Sequence, residues 1–185
     1  MLVIGVVGYP ASGKGEFSRI AREMGIPIVV MGDVIRKELE NAGLKQTDRN
    51  MGEMSRFLRQ GLGMDALAQL SIPLIEGQKS KVVLVDGIRG DAEVETFANR
   101  FKNFKLIAVE SSFDTRLKRL KERGRSDDIL DADGLLARDN RENGWGLGNA
   151  MEMADYIITN EGTIEEFGEK AREMIKKMET GKDVS

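Results

Sequence analysis

Lys14 is the first residue around which a chemistry can be assembled. It falls near the end of the stretch Gly8-Tyr9-Pro10-Ala11-Ser12-Gly13-Lys14-Gly15. An apolar run from Val3 to Val7 leads into this stretch, and an amphipathic pattern through Phe17, Ile20, Ala21 and Met24 leads out of it. Strand, glycine-rich loop and helix in that order can aim several backbone N–H groups and the positive end of a helix at one point. Such a point suits a triphosphate, with Lys14 as a mobile cation at the β- and γ-phosphates. The common form of this motif follows Lys with Ser or Thr, whose hydroxyl meets Mg²⁺. Here Gly15 and Glu16 follow instead. Asp86 closes a second apolar run, Val82 to Val85. A carboxylate at that place can hold Mg²⁺ beside the loop, or serve merely as a helix cap.

Arginines supply the remaining chemistry. Arg36 and Arg89 each follow a Gly-containing turn after an apolar run, and guanidinium forks bind phosphate oxygens in pairs. Arg116, Arg119 and Arg123 share one helical stripe, and Arg125, Arg138 and Arg141 follow. A salt-bridged surface helix would also present such a stripe. Arg49, Arg56 and Arg59 add positive charge to a separate helical segment, where they meet further phosphates or remain solvated.

These residues need a scaffold, and the chain spells one out. Strands are expected near 2–7, 26–30, 81–86, 104–109 and 154–159. Helices separate them: one after the loop, ending near Gly25, and one at 91–101. A basic helix follows the fourth strand, and a last helix runs through Met178 behind a capping box of Thr163 and Glu166. Residues 33–78 read as a helical excursion: one helix ends at Asn41-Ala42-Gly43, another spans 48–62, and a third, kinked at Pro73, spans 64–75. The Gly- and Asn-rich stretch around Trp145 reads as a loop anchored by its one aromatic side chain. Strands alternating with helices imply an α/β fold with a parallel sheet covered on both faces. Ligand crevices lie at the carboxyl ends of such strands, where the loop, Asp86 and the arginine turns all fall.

The chain has 185 residues, 41% hydrophobic and 32% charged, with a net charge of −3. That bounds it to one globular domain. The charge argues against recruitment of nucleic acid or anionic membrane. It has no Cys and no His, so disulfides, thiolate nucleophiles, imidazole bases and Cys/His metal sites are excluded. No apolar run reaches membrane-span length and the start lacks a signal-peptide pattern, so a cytoplasmic protein is expected.

The string Gly8-x-Pro10-x-x-Gly13-Lys14-Gly15 resembles the loop of adenylate kinases and other nucleoside monophosphate kinases, which also carry Gly after Lys and then usually Thr, the place of Glu16. Gly32-Asp33-Val34-Ile35-Arg36 resembles their Gly-Asp-x-x-Arg segment. Asp86-Gly87-Ile88-Arg89 resembles their Asp-Gly-x-x-Arg segment, one residue short. Arg125-Ser126-Asp127-Asp128 resembles their lid string. The nearest resemblance is to an archaeal P-loop family related to adenylate kinase, with a strand ending at Ala154-Asp155-Tyr156-Ile157-Ile158 that is similar to dephospho-CoA kinases.

The resemblance implies a three-layer P-loop NTPase fold of the nucleoside monophosphate kinase type, with strand order 2-3-1-4-5. It implies a helical acceptor-binding insert at about 33–78 and a short helical lid at about 113–153. It implies ATP and Mg²⁺ as cofactors, with ATP held by Gly8, Tyr9, Pro10, Ala11, Ser12, Gly13, Lys14, Gly15 and Glu16. Arg119 would cover the adenine, with Asn160 and Gly162 near it. Arg123, Arg125 and Arg138 would contact donor phosphates, with Arg141 a weaker match. Arg36 and Arg89 would grip an acceptor phosphate, and Glu93 falls where the family has a Gln that reads the AMP base. Asp86 would hold the metal.

The expected activity is transfer of the ATP γ-phosphoryl group to a small phosphorylated or nucleotide-like acceptor. Two alternatives stay open: a hydroxyl acceptor with Asp33 as base, and an NTP-binding switch that hydrolyses slowly.

Overall fold

A computed structural model describes residues 1–123 and 131–180. Five strands carry the fold: β1 (Leu2–Val7), β2 (Ile28–Val30), β3 (Val82–Asp86), β4 (Phe104–Glu110) and β5 (Tyr156–Thr159). They form one sheet in the order β2-β3-β1-β4-β5, all pairs parallel. Every residue of β1 is buried, as its central place requires. Strand alternation divides the sheet's side chains between two cores. Val3, Val7, Val83, Val85, Leu106 and Ala108 face one core; Leu2, Ile4, Val6, Leu84, Ile107 and Val109 face the other.

The second core is closed by α1 (Lys14–Glu23), through Phe17, Ile20 and Ala21, and by α9 (Ile164–Thr180), through Phe167, Ala171 and Ile175. Thr163 and Glu166 cap α9 reciprocally, as their spacing predicts. The first core is covered by the helical excursion: α2 (Met31–Asn41), α3 (Asp48–Leu62) and α4 (Ala66–Glu76), joined by α5 (Asp91–Arg100). Helix α6 (Phe113–Arg123) follows β4.

Pro73 lies inside α4, within the helix expected there. Two elements depart from the sequence reading. Helix α2 begins at Met31, directly after β2 and ahead of the expected start at 33, so Asp33 sits in its first turn. The stretch around Trp145 is helical on both sides, with α7 (Ala132–Asn143) and α8 (Leu147–Glu152). Asp131 caps α7 by accepting from Gly134 N at 2.7 Å, and Leu135, Leu147 and Ala150 are fully buried. Those few anchors are too widely spaced to show a helical period.

The excursion is tied to α5 by a buried ion pair. Arg59 of α3 donates to Glu93 of α5 at 3.0 Å, with their side chains 8% and 2% exposed. Burial pushes the Glu93 carboxyl up from its ordinary value, and Arg59 offsets part of that rise. A buried carboxylate stripped of its partner costs about 3–5 kcal/mol. Arg59→Ala is therefore expected to lose that much stability at pH 7.5 in urea denaturation. The sign of the pH dependence follows from Glu93. With a raised folded pKa, the folded state binds its proton more readily than the unfolded chain, so protonation relieves the penalty. The loss should shrink as the pH falls toward 5; an equal loss at both values would show that Glu93 is not its source.

Candidate active site

The loop between β1 and α1 is held from behind. Gly13 takes φ +117°, and a Cβ there would collide with Asn160 Nδ2, so only glycine fits. Ala11, at φ +61°, is the one non-glycine among the described residues with a positive φ, a local strain of the kind that gathers at ligand-binding loops. The Ser12 carbonyl is the fixed point. It accepts from Asn160 Nδ2 at 2.8 Å, Ser111 Oγ at 3.1 Å and Arg119 at 3.4 Å. Arg119 also donates to the Asn160 backbone and side-chain oxygens, at 2.9 and 3.0 Å. The Tyr9 hydroxyl donates to Asn143 of α7 at 2.7 Å.

A crevice of about 740 Å³ opens at the carboxyl ends of the strands. Gly8, Pro10, Ala11, Gly13, Lys14, Gly15 and Glu16 line one side. Asp86, Arg89, Arg119, Arg138, Glu142, Asn160 and Gly162 line the rest. Lys14 bends back over the loop and donates to the carbonyls of Gly8 and Tyr9, the latter at 2.9 Å. Burial pushes its pKa down to about 8; Glu142 and Asp86 raise it, while Arg89 and Arg138 lower it further. Glu142, with its side chain 4% exposed, binds both arginines: Arg89 at 2.9 Å and Arg138 at 3.3 Å. The Arg89 and Arg138 guanidiniums, the Lys14 ammonium and the carboxylates of Asp86 and Glu142 thus share one crevice, and guanidiniums so placed can bind phosphate oxygens in pairs.

Asp86 accepts from Ser18 Oγ at 2.7 Å. Ser18 lies one helical turn after Lys14 and supplies a hydroxyl near the place where the common motif has one. Glu16 turns along α1 to Arg19, at 2.5 and 3.0 Å, so its charge is largely matched. Among the described residues no cluster of three or more Asp and Glu could hold a metal by itself. The Asp86 carboxylate lines the crevice with Ser18 hydrogen-bonded behind it, and it fits a Mg²⁺ that keeps waters and takes phosphate oxygens as its other ligands.

Several expected residues lie elsewhere. Asp33 and Arg36 pair with each other, both substantially exposed, and neither lines the crevice. Glu93 is 1% exposed, with Oε1 on Arg59 and Oε2 on the Arg89 N–H at 2.7 Å, so it is not open to a base. It stands four residues after Arg89 and closes the turn rather than reading a ligand. Arg116, spaced like the ligand arginines, is a strut. It is 5% exposed, forms a two-pronged pair with Asp139 at 3.0 and 2.7 Å, and reaches the Pro10 carbonyl at 3.3 Å. Arg125 and the Arg123 side chain fall outside the described residues. Glu142 and Ser18 were missed; their only signals were the Arg138–Glu142 and Lys14–Ser18 spacings of one helical turn.

Fold and crevice together find relatives. Residues 7–133 match the family model described as an AAA domain. A UPF0200 protein of Methanoregula boonei is 57% identical over 179 residues, covering 97% of this chain and 98% of that one. The chain belongs to the UPF0200 family. Its fold is that of P-loop kinases. A shikimate kinase from Bacteroides thetaiotaomicron superposes with a TM-score of 0.65 at 16% identity, covering 95% of this chain and 98% of that one. A dephospho-CoA kinase from Campylobacter jejuni gives a TM-score of 0.62 at 18% identity, with coverage of 97% and 98%. In this UPF0200 chain, among the described residues, no helix is long and apolar enough to cross a membrane.

The lowered pKa of Lys14 can be measured directly. In ¹³C-lysine NMR one side chain should titrate with a midpoint of about 8, well below the other lysines. That resonance should be missing from Lys14→Arg protein. If every lysine titrates above pH 10, the ammonium is not buried among the groups described.

Proposed function

We propose that this chain is an ATP-dependent phosphotransferase that moves the γ-phosphoryl group to a small phosphorylated, nucleotide-like acceptor. The observation that carries this reading is the single crevice joining Lys14, Asp86, Arg89 and Arg138, with Glu142 keeping the arginines in place until phosphates arrive. ATP would lie along Gly8–Gly15, its phosphates meeting the backbone N–H groups of the loop and the start of α1. Asp86, oriented by Ser18, would hold Mg²⁺, which supplies charge neutralisation of the phosphates when bound. Arg89 would grip the acceptor and Arg138 the transferring group. In the transfer, an acceptor oxygen bonds to the γ-phosphorus as the bond to the β-bridging oxygen breaks, leaving ADP. Lys14 and Arg138 would stabilise the charge spread over the equatorial oxygens. Arg119, bolted across the loop, would lie over the base.

Phosphate acceptors are already anionic at pH 7 and need no base. Asp33 lies outside the crevice in a pair with Arg36, which further favours this reading over a hydroxyl acceptor deprotonated by Asp33. A switch that only binds and hydrolyses NTP has no use for Arg89 in the crevice.

The test is turnover with ATP and Mg²⁺ against nucleoside monophosphates, nucleosides and dephospho-CoA, followed by variants. Lys14→Ala should abolish transfer while the fold, by circular dichroism, is kept. Arg89→Ala should lower kcat/KM for the acceptor by about 2–4 kcal/mol of transition-state stabilisation, with ATP affinity by calorimetry little changed. Collapse of ATP affinity with normal acceptor kinetics would assign the two sites backwards. Asp33→Asn should cost about tenfold or less in single-turnover transfer; a positioned base would cost about 10²–10⁴-fold.

A further inference from the structure

A second cavity, of about 600 Å³, lies between α3 and the turn joining α7 to α8. Arg49, Arg56 and Arg59 of α3 line it, together with Arg141, Glu53 and Trp145. On α3 these arginines fall on one helical face, at i, i+7 and i+10. A face serving only as a solvated surface mixes signs and leaves its charges in open water. This one gathers four guanidiniums and a single named carboxylate around a concavity. Two of the four are matched: Arg49 by Glu53 at 2.9 Å, and Arg59 by the buried Glu93 at 3.0 Å. Arg56 and Arg141, both exposed, have no ion-pair partner among the described residues.

The cavity adjoins the crevice. The Arg59 guanidinium lies 5.5 Å from the centre of the Trp145 ring, and Arg89, which lines the crevice, lies 6.0 Å from the same ring. Helix α7 divides its arginines likewise, Arg138 to the crevice and Arg141 to the cavity. We propose that the second cavity is a polyanion subsite, holding the far end of an acceptor that carries at least one phosphate besides the group at Arg89. Two unmatched guanidiniums beside a partly exposed indole suit a phosphate group next to a planar ring. The volume is within the range of small-molecule sites. This rests on the phosphotransferase reading for what the crevice does, but not for what the cavity binds.

Trp145 is the chain's one tryptophan, so its fluorescence reports this place directly. The probe is adenosine 3′,5′-bisphosphate, with AMP as the singly phosphorylated control. Native protein should bind the bisphosphate at least tenfold more tightly than AMP. The preference should vanish in the Arg56→Ala/Arg141→Ala double variant and persist in Lys14→Ala, which alters only the first crevice. Both changes on the double variant are at exposed residues, and circular dichroism checks the fold. Equal affinities in native protein, or a preference surviving the double variant, would overturn the proposal. So would a 12-nucleotide RNA that displaces the bisphosphate at lower concentration, since the cavity would then be a nucleic-acid contact. Absence of ATP binding or turnover with the preference intact would defeat the phosphotransferase reading and leave the subsite standing.

Discussion

The Glu142 carboxylate is the constraint on which the crevice depends. Lys14, Arg89 and Arg138 bring three positive charges into a partly buried place, and without a counter-charge they would repel one another and the fold would splay them into water. Glu142 lies at their centre on α7, almost wholly buried, and binds two of them. It lets the three cations share one crevice. The cost is that an incoming ligand must compete with an internal carboxylate for the same guanidiniums. In the proposed reaction the ligand is a phosphate chain, whose oxygens carry more charge and more acceptor positions than one carboxylate, which favours the exchange. The energetic logic is that of a site kept in reserve.

Around that centre the chain spends its other buried polar groups on rigidity. The Ser12 carbonyl is fixed by donors from three different segments, and Arg116 links the loop at Pro10 to Asp139 on α7. A phosphate loop has no hydrophobic core of its own, so its shape must be set by such bonds. Asp139 and Glu142 are three residues apart on α7, and both are buried. One helix therefore steadies the loop with one carboxylate and the crevice arginines with the other.

Much of this was legible in the sequence, and what was not has physical causes. The parallel sheet and the convergence of Lys14, Asp86 and Arg89 followed from local patterns, since parallel strands place every following turn at one edge, whereas the strand order followed from the family resemblance alone. Arg36 shares the turn pattern of Arg89, but its neighbour Asp33 captures it. Glu93 occupied an expected ligand position and was taken up by the turn itself. Such losses come from short-range pairing that spacing cannot rank. Glu142 was hidden for the opposite reason: its partner Arg89 is more than fifty positions away, and no periodicity records a long-range ion pair. A helical lid was expected here, but the bounds of α7 and α8 around Trp145 were not legible, because three buried side chains fix them, too few for a hydrophobic period.

The outer strands of the sheet are its shortest, three residues in β2 and four in β5. Sheet edges are where chains most readily add foreign strands, through a row of unpaired backbone groups. At β5 an exposed Ile157 lies beside that row, which would ordinarily invite aggregation. Brevity is the protection. An invading strand could form only a few backbone bonds before meeting the capped start of α9 on one side, and at β2 the chain turns into α2 without an intervening residue. The same abruptness leaves the sheet little length with which to polymerise.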